Sequence, residues 1–482
     1  MLNTLLTLAS NPYVVIGVVA AILLFVLFIG FTPANAPPIV STGLPIVGPI
    51  LAFMKNPYQL ALDSYRRYGE VFTIKVANQR LTFLVGPEAS EPFFKGKDAD
   101  MSQNEVYKFS VSIFGKGVVY DVPTPIRIEQ IKFMSSALRS DVLRSYVDDM
   151  VLEARQYFGK WGESGTVDLA QVFSELIILT ASRCLMGPEV REHMFEQVAE
   201  LFRALDEGLL PITFFFPELP IPAHRARNAA REEMVKLFAG IMEERRANPD
   251  KIYTDMLDQF MNAQYKDGRT LTDREVTGLM ISLLFAGQHT SSNSSASTLL
   301  HLLRSDSTVD NTEHLQAVLD EQQAMIAEFG DELNYDVLEK MDRLHVSIKE
   351  GIRLCPPLIF VMRKVKKAFS VKGYTVPVGD LAFVSPPVSH RVESIFTNAE
   401  TYDPTRFLPP REEDKKARFA FAGFGGGRHG CLGENFAYLQ IKTIFSVLLR
   451  SYKLKLVDPF PEQDYTGLVV GPKPCQVAYE RI

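Results

Sequence analysis

FGGGRHGCLG, residues 424–433, presents one cysteine, Cys431, in a glycine-rich loop directly ahead of ENFAYLQIKTIFSVLLRSY, residues 434–452. In the second stretch Ile441, Ile444, Phe445, Leu448 and Tyr452 fall at i, i+3, i+4, i+7 and i+11, the buried stripe of one helix. Cys431 therefore precedes a helix N-terminus. There, aligned peptide dipoles and free backbone N–H groups favour a thiolate, and glycines let the backbone approach the sulfur and a flat ligand above it. Several chemistries remain open for such a sulfur. A zinc site would want three more ligands nearby, and only His429 is close. A Cys/His nucleophile pair is a second reading, although residues two apart in an extended loop tend to share a face without meeting. An axial thiolate to a haem iron needs only one protein ligand. The bland alternative is a glycine-rich turn around an inert cysteine. No Gly-Lys-Ser/Thr follows, which speaks against a phosphate loop.

The bulk properties set the frame for this loop. At 482 residues with 46% hydrophobic and 11% aromatic content, the chain can bury a large core, and disorder is excluded. A net charge of -6, from 51 basic and 57 acidic residues, gives no reason to expect nucleic acid as a partner. The four cysteines, Cys184, Cys355, Cys431 and Cys475, form no C-x-x-C pair, which argues against a disulfide framework and fits a reducing compartment.

The N-terminus departs from this soluble character. Lys55 is the first charged residue, and YVVIGVVAAILLFVLFIGF (13–31) is an unbroken apolar run near the roughly 20 residues a spanning helix needs. Ala34-Asn35-Ala36 resembles a signal-peptidase site, but no basic segment precedes the run and Pro37 would follow the cut. A membrane anchor over residues 1–35 is the expectation. Lys55, Arg66, Arg67, Lys75 and Arg80 all follow the span, which places the remainder in the cytosol. Residues 36–50, rich in Pro and Gly, read as a connector, and 51–482 as one α-rich catalytic domain without internal repeats. VFTIKV (71–76) and LTFLV (81–85) suggest a hairpin; residues 374–386 and 453–457 suggest further short strands.

Two more segments carry chemistry. Glu350 and Arg353 lie three apart and share a helix face; Arg406, in DPTRF, supplies a second guanidinium for a buried, hydrogen-bonded lock. Residues 272–303 start as a capped helix, with Thr272 and Glu275 in capping-box register, and then turn polar at AGQHTS (286–291). Ser and Thr there can bond back to carbonyls and open the helical ladder, leaving room for a diatomic ligand beside groups that pass protons. The plain alternative is a tolerated polar patch with His289 a satisfied core histidine.

Together these segments resemble the cytochrome P-450 family, the haem-thiolate monooxygenases. The order matches: an oxygen-helix motif at 286–291, Glu350-Gly-Ile-Arg353, Arg406, and Phe424, Gly427, His429, Cys431 and Gly433 of the cysteine motif. His289 where most members carry an acid, with FGKGVVYDVP (114–123) and SELIILTASRC (174–184), is similar to the eukaryotic sterol 14α-demethylases.

That resemblance implies a mainly helical fold with small sheets, haem b, and three NADPH- and dioxygen-dependent oxygenations that release the 14α-methyl group as formate. It implies Cys431 as the iron ligand. Thr290, His289 and Asp206 would serve oxygen activation and proton delivery, and Tyr107, Tyr120, Lys132, Arg363 and His429 would hold the haem propionates. Tyr107, Phe109, Phe114, Tyr120, Leu209, Ala286, Gly467, Leu468 and Val469 would line the sterol pocket. Phe109 resembles members that prefer 4-monomethyl sterols.

No nicotinamide or flavin fingerprint occurs in a strand-turn-helix context, so electrons must come from another protein. The family implies a membrane NADPH-cytochrome reductase flavoprotein, with a cytochrome b-type protein as a further donor. Its docking face is expected near the cysteine loop at Lys415, Lys416, Arg428 and Lys442. Azole-type inhibitors, a monomeric state and a single-pass endoplasmic reticulum location are also expected. The rival functions are a haem-thiolate oxygenase of fatty acids or xenobiotics and a haem- or sterol-binding protein without chemistry.

Overall fold

The computed structural model describes residues 34–42, 47–76, 79–210, 213, 216–465, 467 and 469–482. The anchor helix expected at 13–31 lies outside the described residues.

The strands are β1 (Val71–Val76), β2 (Gln79–Leu84), β3 (Met101–Ser102), β4 (Ser164–Asp168), β5 (Val361–Val365) and β6 (Phe369–Val371). They continue with β7 (Tyr374–Val376), β8 (Leu381–Val384), β9 (Tyr452–Leu456), β10 (Gln463–Asp464), β11 (Gly471–Pro472) and β12 (Gln476–Arg481). One sheet runs in the order β1-β2-β8-β5-β3 and another in the order β4-β12-β9. The expected hairpin is present, with Val71 opposite Leu84 and Val76 opposite Gln79. β2 begins two residues earlier than the hydrophobic run suggests, because buried Asp380 holds Arg80 in the strand at 2.8 Å. The stretch 374–386 divides into β7 and β8 around Gly379, whose φ of 95° L side chains rarely adopt. The expected connector is docked on the sheets, with Val40 N–H donating to Thr73 O and, just before it, Asn35 O accepting from Thr375 N–H.

The helices that frame the site are α1 (Pro57–Tyr68), α2 (Gly86–Lys95), α3 (Thr124–Ser136), α4 (Ser140–Phe158), α5 (Leu169–Ala181) and α6 (Phe195–Glu207). The C-terminal set is α7 (Pro222–Ala247), α8 (Asp273–Leu303), α9 (Thr312–Phe329), α10 (Asp342–Leu354) and α11 (Glu434–Ser451). α8 carries the expected capping box and packs against α5, α7 and α10. α11 buries the predicted stripe from Ile441 to Leu448 and packs on α4, whereas Tyr452, the last predicted position, is buried as the first residue of β9. Leu169–Met186, the described stretch apolar enough to cross a membrane, is 67% buried inside the fold, as a core helix is.

Candidate active site

The cysteine loop is held against the end of α2. Gly427 has φ 65°, and a Cβ there would lie 2.2 Å from Phe94 O, so glycine is required twice over. Cys431 N–H donates to Phe424 O at 2.9 Å and fixes the curl of the loop. Cys431 is exposed while Phe436, one turn further, is buried. Burial nevertheless pushes the Cys431 thiol up, with Gly433 N–H pulling it back only in part. A bound cation beside the sulfur would supply positive charge that favours the thiolate.

The opposite wall belongs to α8. Its residues 276–281 and 294–303 are buried, yet Ala286 is exposed and nothing lies within 4 Å of where a Gly287 Cβ would be. A hollow therefore runs beside the middle of an otherwise packed helix. The polar groups there do not break the ladder as the sequence suggested. Thr290 Oγ1 donates to Ala286 O at 2.5 Å and Ser295 to Ser291 O at 2.8 Å, so their hydroxyls are satisfied within a continuous helix. His289 Nε2 meets Asp206 Oδ1, from the last turn of α6, at 3.1 Å. Both side chains remain about a third exposed, 30% and 38%, which leaves this pair open to water.

A cluster of buried cations and phenols closes one end. Tyr107 and Tyr120 stack at 5.2 Å, and burial raises both phenols. Arg363, on β5, donates to Phe93 O at 2.6 Å, and burial lowers its guanidinium to about 10. His429 Nε2 lies 2.7 Å from Asp98, which Arg127 also contacts at 3.0 Å. Lys132 does not join this group. It is exposed, since five residues beyond Arg127 on α3 means roughly 140° further round the helix. Arg127, 2% exposed, is the basic residue of this helix that reaches Asp98. The signal was legible: Arg127, Gln130 and Met134 form an i, i+3, i+7 buried face with two polar members. Buried Nε atoms of both Arg127 and Arg363 have no hydrogen-bond partner among the described residues, so two charged donors are left for an acceptor such as a carboxylate.

Of the expected pocket residues, Phe109 is 7% exposed with its ring 6.3 Å from Tyr107, and Phe114 meets Phe285 of α8 at 6.1 Å. Leu209 follows α6 and packs on the core; Gly467 and Val469 sit at the β10–β11 tip. Leu468 lies outside the described residues.

Behind the loop the expected lock is formed. Glu350 receives Arg353 at 2.7 Å and Arg406 at 3.0 Å, all three fully buried. Asp403 N–H adds 2.8 Å to the same carboxylate, and Arg406 also reaches Glu413 at 2.8 Å. The sequence reading missed His390. Its Nδ1 donates to Arg353 O at 2.9 Å while its Nε2 accepts Ala422 N–H at 2.8 Å, joining the lock to the segment that enters the cysteine loop. Burial holds this imidazole neutral, at about 3. One docking residue is corrected: Lys442 is 4% exposed and donates to Leu338 O at 2.9 Å, because it lies on the packed side of α11. Lys415, Lys416 and Arg428 are exposed.

The exposed sulfur, the hollow beside residues 286–287 and the two unpaired buried guanidinium donors fit a flat, carboxylate-bearing iron macrocycle. The cytochrome P-450 family model matches residues 37–479. A solved cyanobacterial cytochrome with retinoic acid bound superposes with a TM-score of 0.80, covering 94% of this chain and all of its own at 22% identity. Fold and site together define a haem-thiolate monooxygenase. The sterol 14-demethylase of Arabidopsis thaliana is 50% identical over 92% of this chain and 91% of its own. The obtusifoliol 14-alpha demethylase of Triticum aestivum is 49% identical (92% and 98%), and the lanosterol 14-alpha demethylase of Bos taurus 40% (93% and 89%). The chain belongs to the cytochrome P-450 family, among its sterol 14-demethylases.

Proposed function

We propose that this enzyme removes the 14α-methyl group of a sterol as formate in three successive oxygenations, each using dioxygen and two NADPH-derived electrons. The observation that carries this reading is the His289–Asp206 pair, 3.1 Å apart and partly exposed, one residue from Thr290 on α8. When bound, haem supplies the oxygen activation and C–H oxidation. Cys431 would hold its iron; Tyr107, Tyr120, Arg127, Arg363 and His429 would hold its propionates. The chain's own work is to seat the sterol and to move protons. Phe109, Phe114 and Ala286 offer an apolar surface with few polar groups, suited to a rigid tetracycle. Thr290 Oγ1, which donates to Ala286 O at 2.5 Å, could release that bond and hold a proton toward the hollow. His289 and Asp206, both partly exposed, recharge that route from water.

Electrons would arrive from an NADPH-cytochrome reductase, with a cytochrome b-type protein as second donor, at a basic face of Lys415, Lys416 and Arg428. Turnover should fall with rising salt, and reversing these three charges should reproduce the loss at low salt. Residues 13–31 would anchor a monomer in the endoplasmic reticulum membrane with the catalytic domain, 51–482, in the cytosol. Azole-type compounds are expected to bind over the cysteine loop. Phe109 favours 4-monomethyl over 4,4-dimethyl sterols. The deciding experiment is turnover of a panel of 14α-methyl sterols with reductase and NADPH, scoring formate and the 14,15-unsaturated product. Absence of both with every sterol, alongside a normal reduced carbonyl spectrum, would overturn the sterol reading.

A further inference from the structure

We propose that Asn293 is a specificity-determining tether: it fixes the β10–β11 hairpin against α8 and thereby sets which 14α-methyl sterol the pocket prefers. The inference rests on the sterol reading above and adds to it a residue outside the expected site. Asn293 lies four residues beyond His289 and three beyond Thr290, so it shares their face of α8. Its Nδ2 donates to Val470 O at 3.1 Å. Val470 N–H is itself bound to Pro357 O at 2.8 Å. Both backbone polar groups of Val470 are therefore held by partners outside its own hairpin.

The hairpin needs such help. Among the described residues its ladder pairs Gln463 with Pro472 and Asp464 with Gly471, continued by Lys473 N–H to Glu462 O at 2.9 Å, and Pro472 has no N–H to give. Two residue pairs cannot hold a hairpin in place by themselves. The contact is also shaped to fit. A Cβ on Gly471 would lie 2.5 Å from Asn293 Cγ, so glycine lets the amide lie flat against the strand. The tip held this way carries Gly467 and Val469. The tether thus fixes the separation between the hairpin tip and the α8 face that bears Thr290, and with it the room left for substituents at one end of a sterol. An apolar residue at 293 would also leave Val470 O without its partner.

The test uses purified holoenzyme of the parent, Asn293→Ala, Asn293→Asp and Gly471→Ala. Hydrogen–deuterium exchange reads the peptide spanning 465–472. Substrate-induced change in haem absorbance reads affinity for a 4-monomethyl and a 4,4-dimethyl 14α-methyl sterol. In each variant exchange at Val470 should rise, and sterol affinity should fall about 3- to 10-fold, the equivalent of one hydrogen bond. The factor should differ between the two sterols, with the reduced carbonyl spectrum retained. Unchanged exchange in Asn293→Ala overturns the tether. Faster exchange with an unaltered ratio of the two affinities overturns the specificity claim. A parent that binds neither sterol sinks the functional reading and the specificity claim with it, whereas the exchange result stands on its own.

Discussion

Cys431 is exposed at the end of a loop in which glycine at 427, with φ 65°, permits the close approach to Phe94 O. Its thiolate would be the ligand of the iron it holds. Cys431→Ala should abolish the thiolate-type absorption of the reduced carbonyl complex; retention of that band would refute the ligand assignment. At His289 and Asp206 the geometry is that of a proton entry. His289→Ala and Asp206→Asn should each slow turnover by about 10²-fold, in the range of a positioned acid-base group, while haem content stays at the parent level. Stopped-flow product formation per haem measures this, and parental rates in both variants would remove the pair from the route. Individual side chains were legible in the sequence when a motif fixed their spacing, as with Glu350, Arg353 and Cys431. Lys132 and Arg127 show the opposite case. Both are basic and lie on one short helix, and only the direction of each around its axis decides which one reaches Asp98, the partner of His429.

Among the elements, α10 is tied to the meander before the cysteine loop by charges rather than by apolar packing alone. Glu350 answers two buried guanidinium groups at once. Glu350→Gln should therefore cost about 3–5 kcal/mol, the typical result of stripping one partner from a buried ionic network. Urea unfolding of the apoprotein, together with haem retention, checks this; a loss under 1 kcal/mol would mean the arginines find other partners. His390 extends the same tie to Ala422, a link invisible in the sequence because it depends on a ring whose two nitrogens face opposite ways. The helix 272–303 was legible from its capping box and apolar period. Its unbroken ladder was not, since the same hydroxyls can open a helix or satisfy it, and only the side-chain rotamers decide.

Across the whole molecule, several histidines are buried neutral. His301 and His390 are held near 3 by burial, and His345 near 4. Because the unfolded chain protonates these rings near their ordinary value of about 6.5 while the folded one does not, stability is full above that value and falls as pH drops below it. His301 and His390 should each cost about 2 kcal/mol by pH 5. The midpoint of thermal unfolding should fall between pH 7 and pH 5; a flat profile, or one no shallower in His301→Phe, would contradict this.

The sheet β4-β12-β9 carries a further consequence. β12 lies between strands from distant parts of the chain, with Gln476 opposite Asp168 and Val477 opposite Leu456. During synthesis β4 must wait through more than three hundred residues for its partner, presenting an unpaired backbone edge all the while. The danger for such a chain is neighbouring copies on the same messenger, each offering the same bare edge. Slow translation, cooler growth and generous chaperone supply are then expected to raise the harvest of folded enzyme.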